Sequence, residues 1–118
     1  KSPSFARAAI ANDLVYISGT ASIQGHETVR VGDIGGQLEV TVDNLEQLAK
    51  ALGYASWEVI ADQPGYALKV YLRHAEDLKP VQVKLGQVLK STATNTTILH
   101  TDICRADLDL EIEAVFAR

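Results

Sequence analysis

Leu110-Glu111-Ile112-Glu113-Ala114-Val115-Phe116 is the stretch whose reading decides the fold. Leu110, Ile112, Ala114 and Phe116 fall on one side of an extended chain, and Glu111, Glu113 and Val115 on the other. Residues 109–116 therefore predict a strand with one dry and one partly wet face. The same alternation runs through Ala67 to Leu72, where Leu68, Val70 and Leu72 interleave with Lys69, Tyr71 and Arg73. Thr96 to Cys104 is the remaining β-prone run in the C-terminal half.

Between these strands the period changes. Leu38, Val42, Leu45, Ala49 and Leu52 recur at alternating four- and three-residue spacing, which predicts a helix over 37–52 that stops at Gly53. Residues 78–89 carry Val81, Val83, Leu85 and Val88 and predict a second helix, whose Pro80 fits only in the first turn. At the N-terminal end Phe5–Ile10 and Leu14–Ser18 read as a β-hairpin around Ala11-Asn12-Asp13. Residues 19–36, with five glycines, His26 and Arg30, read as a long loop, of the kind that carries function or covers a site. The predicted order is β-β-α-β-α-β-β, an α+β domain with two helices on one face of a mixed sheet. The other face is partly polar, and oligomerisation is the simplest way to cover it.

The chain's 118 residues fit one domain, 1–118. A net charge of −4, with 11 basic residues of which no two are adjacent, argues against a phosphate-backbone partner. No apolar run approaches the length of a membrane span and no signal-peptide pattern is present, so a soluble cytoplasmic protein is expected. Lys1 in first place is consistent with removal of an initiator methionine, or of more. The single cysteine, Cys104, excludes an intrachain disulfide. The glycine-rich loop has neither GxxxxGK[ST] nor GxGxxG spacing.

The order of elements, together with Leu14-Val15-Tyr16-Ile17-Ser18-Gly19-Thr20, Lys69-Val70-Tyr71-Leu72-Arg73 and Leu110-Glu111-Ile112-Glu113-Ala114, resembles the RidA/YjgF superfamily over almost the whole chain. That resemblance implies a chorismate-mutase-like (YjgF-type) subunit, a homotrimer whose sheets line a central barrel, and clefts between subunits that take a small carboxylate metabolite without a cofactor. Imine-deaminating members carry a substrate-gripping arginine upstream of the final strand, and counting back from Glu111 puts Thr96 there. Ser18-Gly19-Thr20-Ala21-Ser22-Ile23, Gly25-His26, Gly32-Asp33 and Asp102-Ile103-Cys104-Arg105, with the Leu110–Glu113 ending, look more like the C-terminal domain of chorismatases. Those enzymes hydrolyse the enolpyruvyl ether of chorismate. The chain matches about a third of such an enzyme, as a stand-alone trimerising relative or as a piece of a longer chain.

Enamine, imine and enol-ether carboxylates need the same parts: a cation for the carboxylate, an acid for carbon or nitrogen, and a positioned water. Arg105 supplies a guanidinium that can bind a carboxylate through two hydrogen bonds, and the chorismatase resemblance implies substrate contact for it. Its alternative is a surface pairing with Asp102 or Asp107. Glu111 is the catalytic acid/base candidate, and both resemblances place the matching glutamate in the site. Glu113 lies about 6.6–7 Å along the same strand face, close enough to raise the proton affinity of its neighbour. The alternative for both is a solvated face, or ion pairs with Lys69 or Arg73.

The resemblance puts Ser18, Gly19, Thr20 and Ala21 on the pocket wall. Gly19 suits backbone approach by a ligand, or equally a bulge or strand end. The chorismatase resemblance implies that Cys104 lines the pocket, while the residue type by itself fits a small buried hydrophobe, or a nucleophile if a base lies near. His100, Asp102 and Cys104 alternate along one predicted strand and span about 13 Å, too far for one metal ion. His26 and His74 read as surface residues. Three functions stay open: a chorismatase-like hydrolase, a RidA-type enamine/imine deaminase, and a non-catalytic metabolite-binding or chaperone-like module. The nuclease role attached by name to some relatives (endoribonuclease L-PSP) fits poorly with the acidic balance.

Overall fold

A computed structural model describes residues 8–25, 27–103 and 105–118. Strands β1 (Ala8–Ala11) and β2 (Leu14–Thr20) form the predicted hairpin. Its turn residues Asn12 and Asp13 take φ values of 54° and 67°, the left-handed pair that a two-residue hairpin loop needs and that Asn and Asp tolerate. Phe5 to Arg7, the predicted start of this hairpin, lie outside the described residues.

The stretch expected to be one long loop is more ordered than that. It holds a small hairpin, β3 (Ile23–Gln24) with β4 (Glu27–Thr28), and helix α1 (Ile34–Ala51) begins three residues before its predicted start. Asp33 is the reason. Its Oδ1 accepts the Gly36 backbone N–H at 2.9 Å, which caps the helix and outweighs the poor helix propensity of Gly35 and Gly36. At the other end Gly53 takes φ +94° and ends the helix.

A short helix α2 (Trp57–Ala61) follows, then β5 (Ala67–Leu72), a 3₁₀ turn (Ala75–Asp77), α3 (Leu78–Val88), β6 (Thr96–His100) and β7 (Leu110–Ala117). The helix count thus departs from the expectation of two. Five residues carry too little periodicity to reveal α2, and burial of its Trp57 against the core stabilises it.

The main sheet runs β1-β2-β7-β5-β6. Every neighbouring pair is antiparallel except β5–β6, which is parallel with α3 in its crossover, so the sheet is mixed as expected. The apolar side of β7 is covered, with Leu110, Ile112 and Phe116 all at 0 % exposure. They pack with Leu38, Leu45, Leu48, Ile60, Val81 and Leu85 from the helices. Each such side chain contributes about 1.5–3 kcal/mol on burial. The opposite face presents Tyr16, Lys69, Tyr71, Thr97, Leu99, Glu111, Glu113 and Val115. β6 stops at His100 rather than reaching 104, so Asp102 is not on the strand face of His100, and Cys104 lies outside the described residues.

A polar seam inside the core holds the loops in place. Gln37 is fully buried: its Nε2 donates to the carbonyls of Arg30 (3.3 Å) and Asp107 (3.1 Å), and its Oε1 accepts the Asp109 N–H (2.8 Å). Asn44 Nδ2 donates to the carbonyls of Ala21 and Ile23, and Ser22 Oγ to that of Val29. Gln37→Leu strands the Asp107 carbonyl and the Asp109 N–H, while the Arg30 carbonyl keeps the Asp33 N–H, and leaving such groups unpaired costs about 1–3 kcal/mol in all where water re-solvates them in part. A loss of about 2 kcal/mol by urea unfolding is therefore expected.

Candidate functional site

The site grows from a defect in the pairing of β2 with β7. Ile17 opposes Ala114 and Thr20 opposes Ile112, so Ser18 and Gly19 together face the single residue Glu113. This is a β-bulge, a device that re-aims side chains and occurs next to active sites. The Glu111 side chain lies in the space left by the bulge: a Cβ on Gly19 would overlap its carboxyl group. Bulge and close approach, separate alternatives for Gly19 in the sequence, are thus one feature here.

Glu111 is half-buried, and its pKa is raised above the usual carboxylate range, first by that burial and then by the charge of Glu113. Glu113 accepts a 2.6 Å hydrogen bond from the Tyr71 hydroxyl and faces Lys69 across the β5–β7 ladder. The Tyr71 phenol is pushed up to about 12, chiefly by its bond to Glu113. A half-buried carboxyl inclined to hold its proton therefore sits beside a second carboxyl with its own donor. Such a pair of unequal carboxyls can divide acid and charge-stabilising roles.

On the open sheet face a trough of about 630 Å³ runs past Tyr16, Ser18, Lys69, Thr97, Glu113 and Val115. Glu113 is part of its wall and Glu111 is not.

Arg73, at the end of β5, does not pair with the acidic strand face. Its guanidinium donates to the carbonyls of Leu108 (2.8 Å), Ile103 (2.9 Å) and Arg105 (2.6 Å), pinning the loop before β7. Arg105 stands exposed on that loop, and its Nη1 donates to Thr28 Oγ1 (3.3 Å), which in turn donates to Asp107 (3.0 Å). Thr20 and Ala21 are buried, the hydroxyl of Thr20 donating to the Ser18 carbonyl. The Thr96 hydroxyl is bonded to Ser91 and Asn95. His74 approaches Asp109 at 3.3 Å. His26 and Cys104 lie outside the described residues. Among those described, no group of His, Cys, Asp or Glu converges as a metal site, and no helix is long and apolar enough to cross a membrane.

Of the residues the sequence nominated, the structure gathers Ser18, Gly19, Glu111 and Glu113 at the bulge, and sets Arg105 by the β3–β4 hairpin. Tyr71 and the Arg73 clamp were not among them. Tyr71 was legible to the extent that alternation sets it on the wet face of β5, opposite the acidic face of β7.

The chain as a whole is similar to known proteins. No family model matches the chain. A chorismatase from Streptomyces rapamycinicus is 41% identical over 87% of this chain and 31% of its own length. A 3-hydroxybenzoate synthase from Streptomyces hygroscopicus is 36% identical over 86% of this chain and 30% of its own. A solved chorismatase structure superposes with a TM-score of 0.74 and 38% identity, covering 95% of this chain and 35% of that one. The YjgF gene product of E. coli superposes with a TM-score of 0.68 at 16% identity, covering 94% and 85%.

The chain has the RidA/YjgF superfamily fold, close to that of chorismatase. It spans about a third of the length of the curated relatives it matches. The YjgF protein, matched over most of both chains, shares the fold alone. In this chain the acidic face of β7 and the bulge of β2 lie on the sheet face that the helices leave open.

Proposed function

We propose that this chain forms the acid-bearing site of a chorismatase-like hydrolase, acting on a small carboxylate with an adjacent enol ether. The reading rests on Glu111, a half-buried carboxyl with raised proton affinity packed on a glycine bulge. Its sequence likeness to chorismatases over nearly the whole chain supports the same view. Glu111 donates its proton to the terminal =CH2 carbon of the enol ether. Water adds to the resulting oxocarbenium carbon, and the hemiketal collapses to pyruvate and the free alcohol, returning a proton to Glu111. Arg105 holds the substrate carboxylate, and Ser18 to Ala21, Cys104 and Glu113 shape the pocket. Three copies, in the cytoplasm, complete one another's clefts, and neither nucleic acid nor membrane is a partner.

Incubation with chorismate, followed by pyruvate release through a coupled dehydrogenase, tests this directly. Turnover of freshly generated 2-aminoacrylate instead would favour an enamine/imine deaminase, with Arg105 in place of the arginine whose position Thr96 holds. Inertness toward both, with tight binding of a carboxylate, would favour a non-catalytic module. Light scattering in solution reads the oligomeric state, and a well-folded monomer would remove the shared clefts.

Gly19→Ala gives a second check. The added methyl meets only the far end of a flexible side chain, so the variant is expected to lose under about 1 kcal/mol of stability. The displaced Glu111 carboxyl should lower kcat by roughly tenfold or more.

A further inference from the structure

Tyr71 faces Glu111 in register across the β5–β7 ladder, yet its hydroxyl reaches Glu113 Oε1 at 2.6 Å. That length lies at the short end of the range for an O–H···O bond. Such a bond stabilises the ionised carboxyl that accepts it. Lys69, opposite Glu113, adds a positive charge on the same side. Glu111 is seated differently, half-buried against Gly19 on the far side of the strand pair. Two carboxyls two residues apart on one face thus have unequal partners.

We propose that Tyr71 is a positioning residue for this site: by donating to Glu113 it occupies that carboxyl and leaves Glu111 as the one that carries the proton. The inference rests on reading Glu111 as the proton donor, and it gives the bulge a partner on the opposite strand. Among the described residues, the titratable and charged side chains on this face are Tyr16 from β2, Lys69 and Tyr71 from β5 with Arg73 just past its end, and Glu111 and Glu113 from β7. Arg73 is committed to the carbonyls of the loop before β7, and Tyr16 opposes Val115. Lys69 and Tyr71 are therefore the groups set to bias the pair, and Tyr71 is the one with a hydrogen bond in place.

The test is the side-chain carboxyl titration of Glu111, followed by carbon NMR in protein labelled at glutamate, with Glu111→Gln and Glu113→Gln assigning the two signals. In Tyr71→Phe the ring stays and the donor goes. The Glu111 midpoint is then expected to fall, because the Glu113 carboxyl no longer has a donor committed to it. Where turnover is measurable, Tyr71→Phe should lose about 3- to 10-fold in kcat/KM on the alkaline side of the profile and under about 2-fold on its acid plateau. A merely structural tyrosine would lower both sides together. A Glu111 midpoint that stays put or rises in Tyr71→Phe overturns the proposal. If that variant fails to fold, Glu113→Gln keeps Tyr71 and removes the charge, and an unmoved Glu111 midpoint there overturns it equally. A falling midpoint in a protein that turns over neither chorismate nor 2-aminoacrylate sustains the role of Tyr71 and sinks the hydrolase reading instead.

Discussion

Glu111→Gln is expected to lower kcat by about 10²–10⁴-fold, the range set by loss of a positioned general acid, while leaving the fold intact. Glutamine keeps the shape of the side chain on the Gly19 bulge and removes only the transferable proton. The pH dependence of the parent protein should show the same group. Burial and then the charge of Glu113 raise the Glu111 pKa, so the acid form persists to higher pH and kcat/KM falls as pH rises through that raised value.

The sign of the stability effect follows from linkage. The folded chain binds this proton more tightly than the unfolded chain does. Stability therefore declines as pH rises from the ordinary glutamate value through the raised one. Glu111→Gln removes that decline. The variant should be at least as stable as the parent near neutral pH, with a melting temperature flatter across that window. Reduced activity with undiminished stability is the signature of a site that trades stability for chemistry. A variant that keeps full turnover, or unfolds, would remove Glu111 from the mechanism.

Trp57→Ala is expected to cost about 3–5 kcal/mol, a large share of the ~5–15 kcal/mol typical of a domain. Trp57 is 1 % exposed and meets the Tyr66 ring edge-on at 6.3 Å between centroids. Its Nε1 donates to the Tyr66 hydroxyl (3.0 Å), which donates to the Leu89 carbonyl (3.1 Å), so one side chain ties α2 to the connector before β5 and to the end of α3. Its own N–H donates to Glu46 of α1 at 2.7 Å. Alanine leaves a cavity that the sheet and α1 close only in part. Because Trp57 is the sole tryptophan, unfolding is best followed by far-ultraviolet circular dichroism, with the melting temperature lower by roughly 10–20 °C. Trp57→Phe keeps most of the ring volume and should recover more than half of the loss. A shift of a degree or two for Trp57→Ala would mean that α2 is not part of the cooperative core.

Much of the fold was readable because it repeats. The alternation of Leu110 to Phe116 gave the same inward and outward sets that the structure buries and leaves open. The spacing of Leu38 to Leu52 marked α1, although Asp33 moved its start. The candidate site was legible in part. Glu111 and Glu113, and the push of one carboxyl on the other, followed from strand parity, but the burial of Glu111 against the Gly19 bulge and the tyrosine partner of Glu113 depend on strands far along the chain.

What the sequence determined by itself is what local periodicity and composition can encode: strands, two long helices, the side of each that must be dry, and an acidic net charge. Tertiary structure alone decided the rest. The two-against-one pairing at Ser18 and Gly19, the three-way clamp of Gln37, the turning of Arg73 to the loop carbonyls and the docking of α2 by Trp57 are long-range choices. Each is fixed by satisfying buried polar groups or filling core volume, and neither requirement exists until distant segments have met.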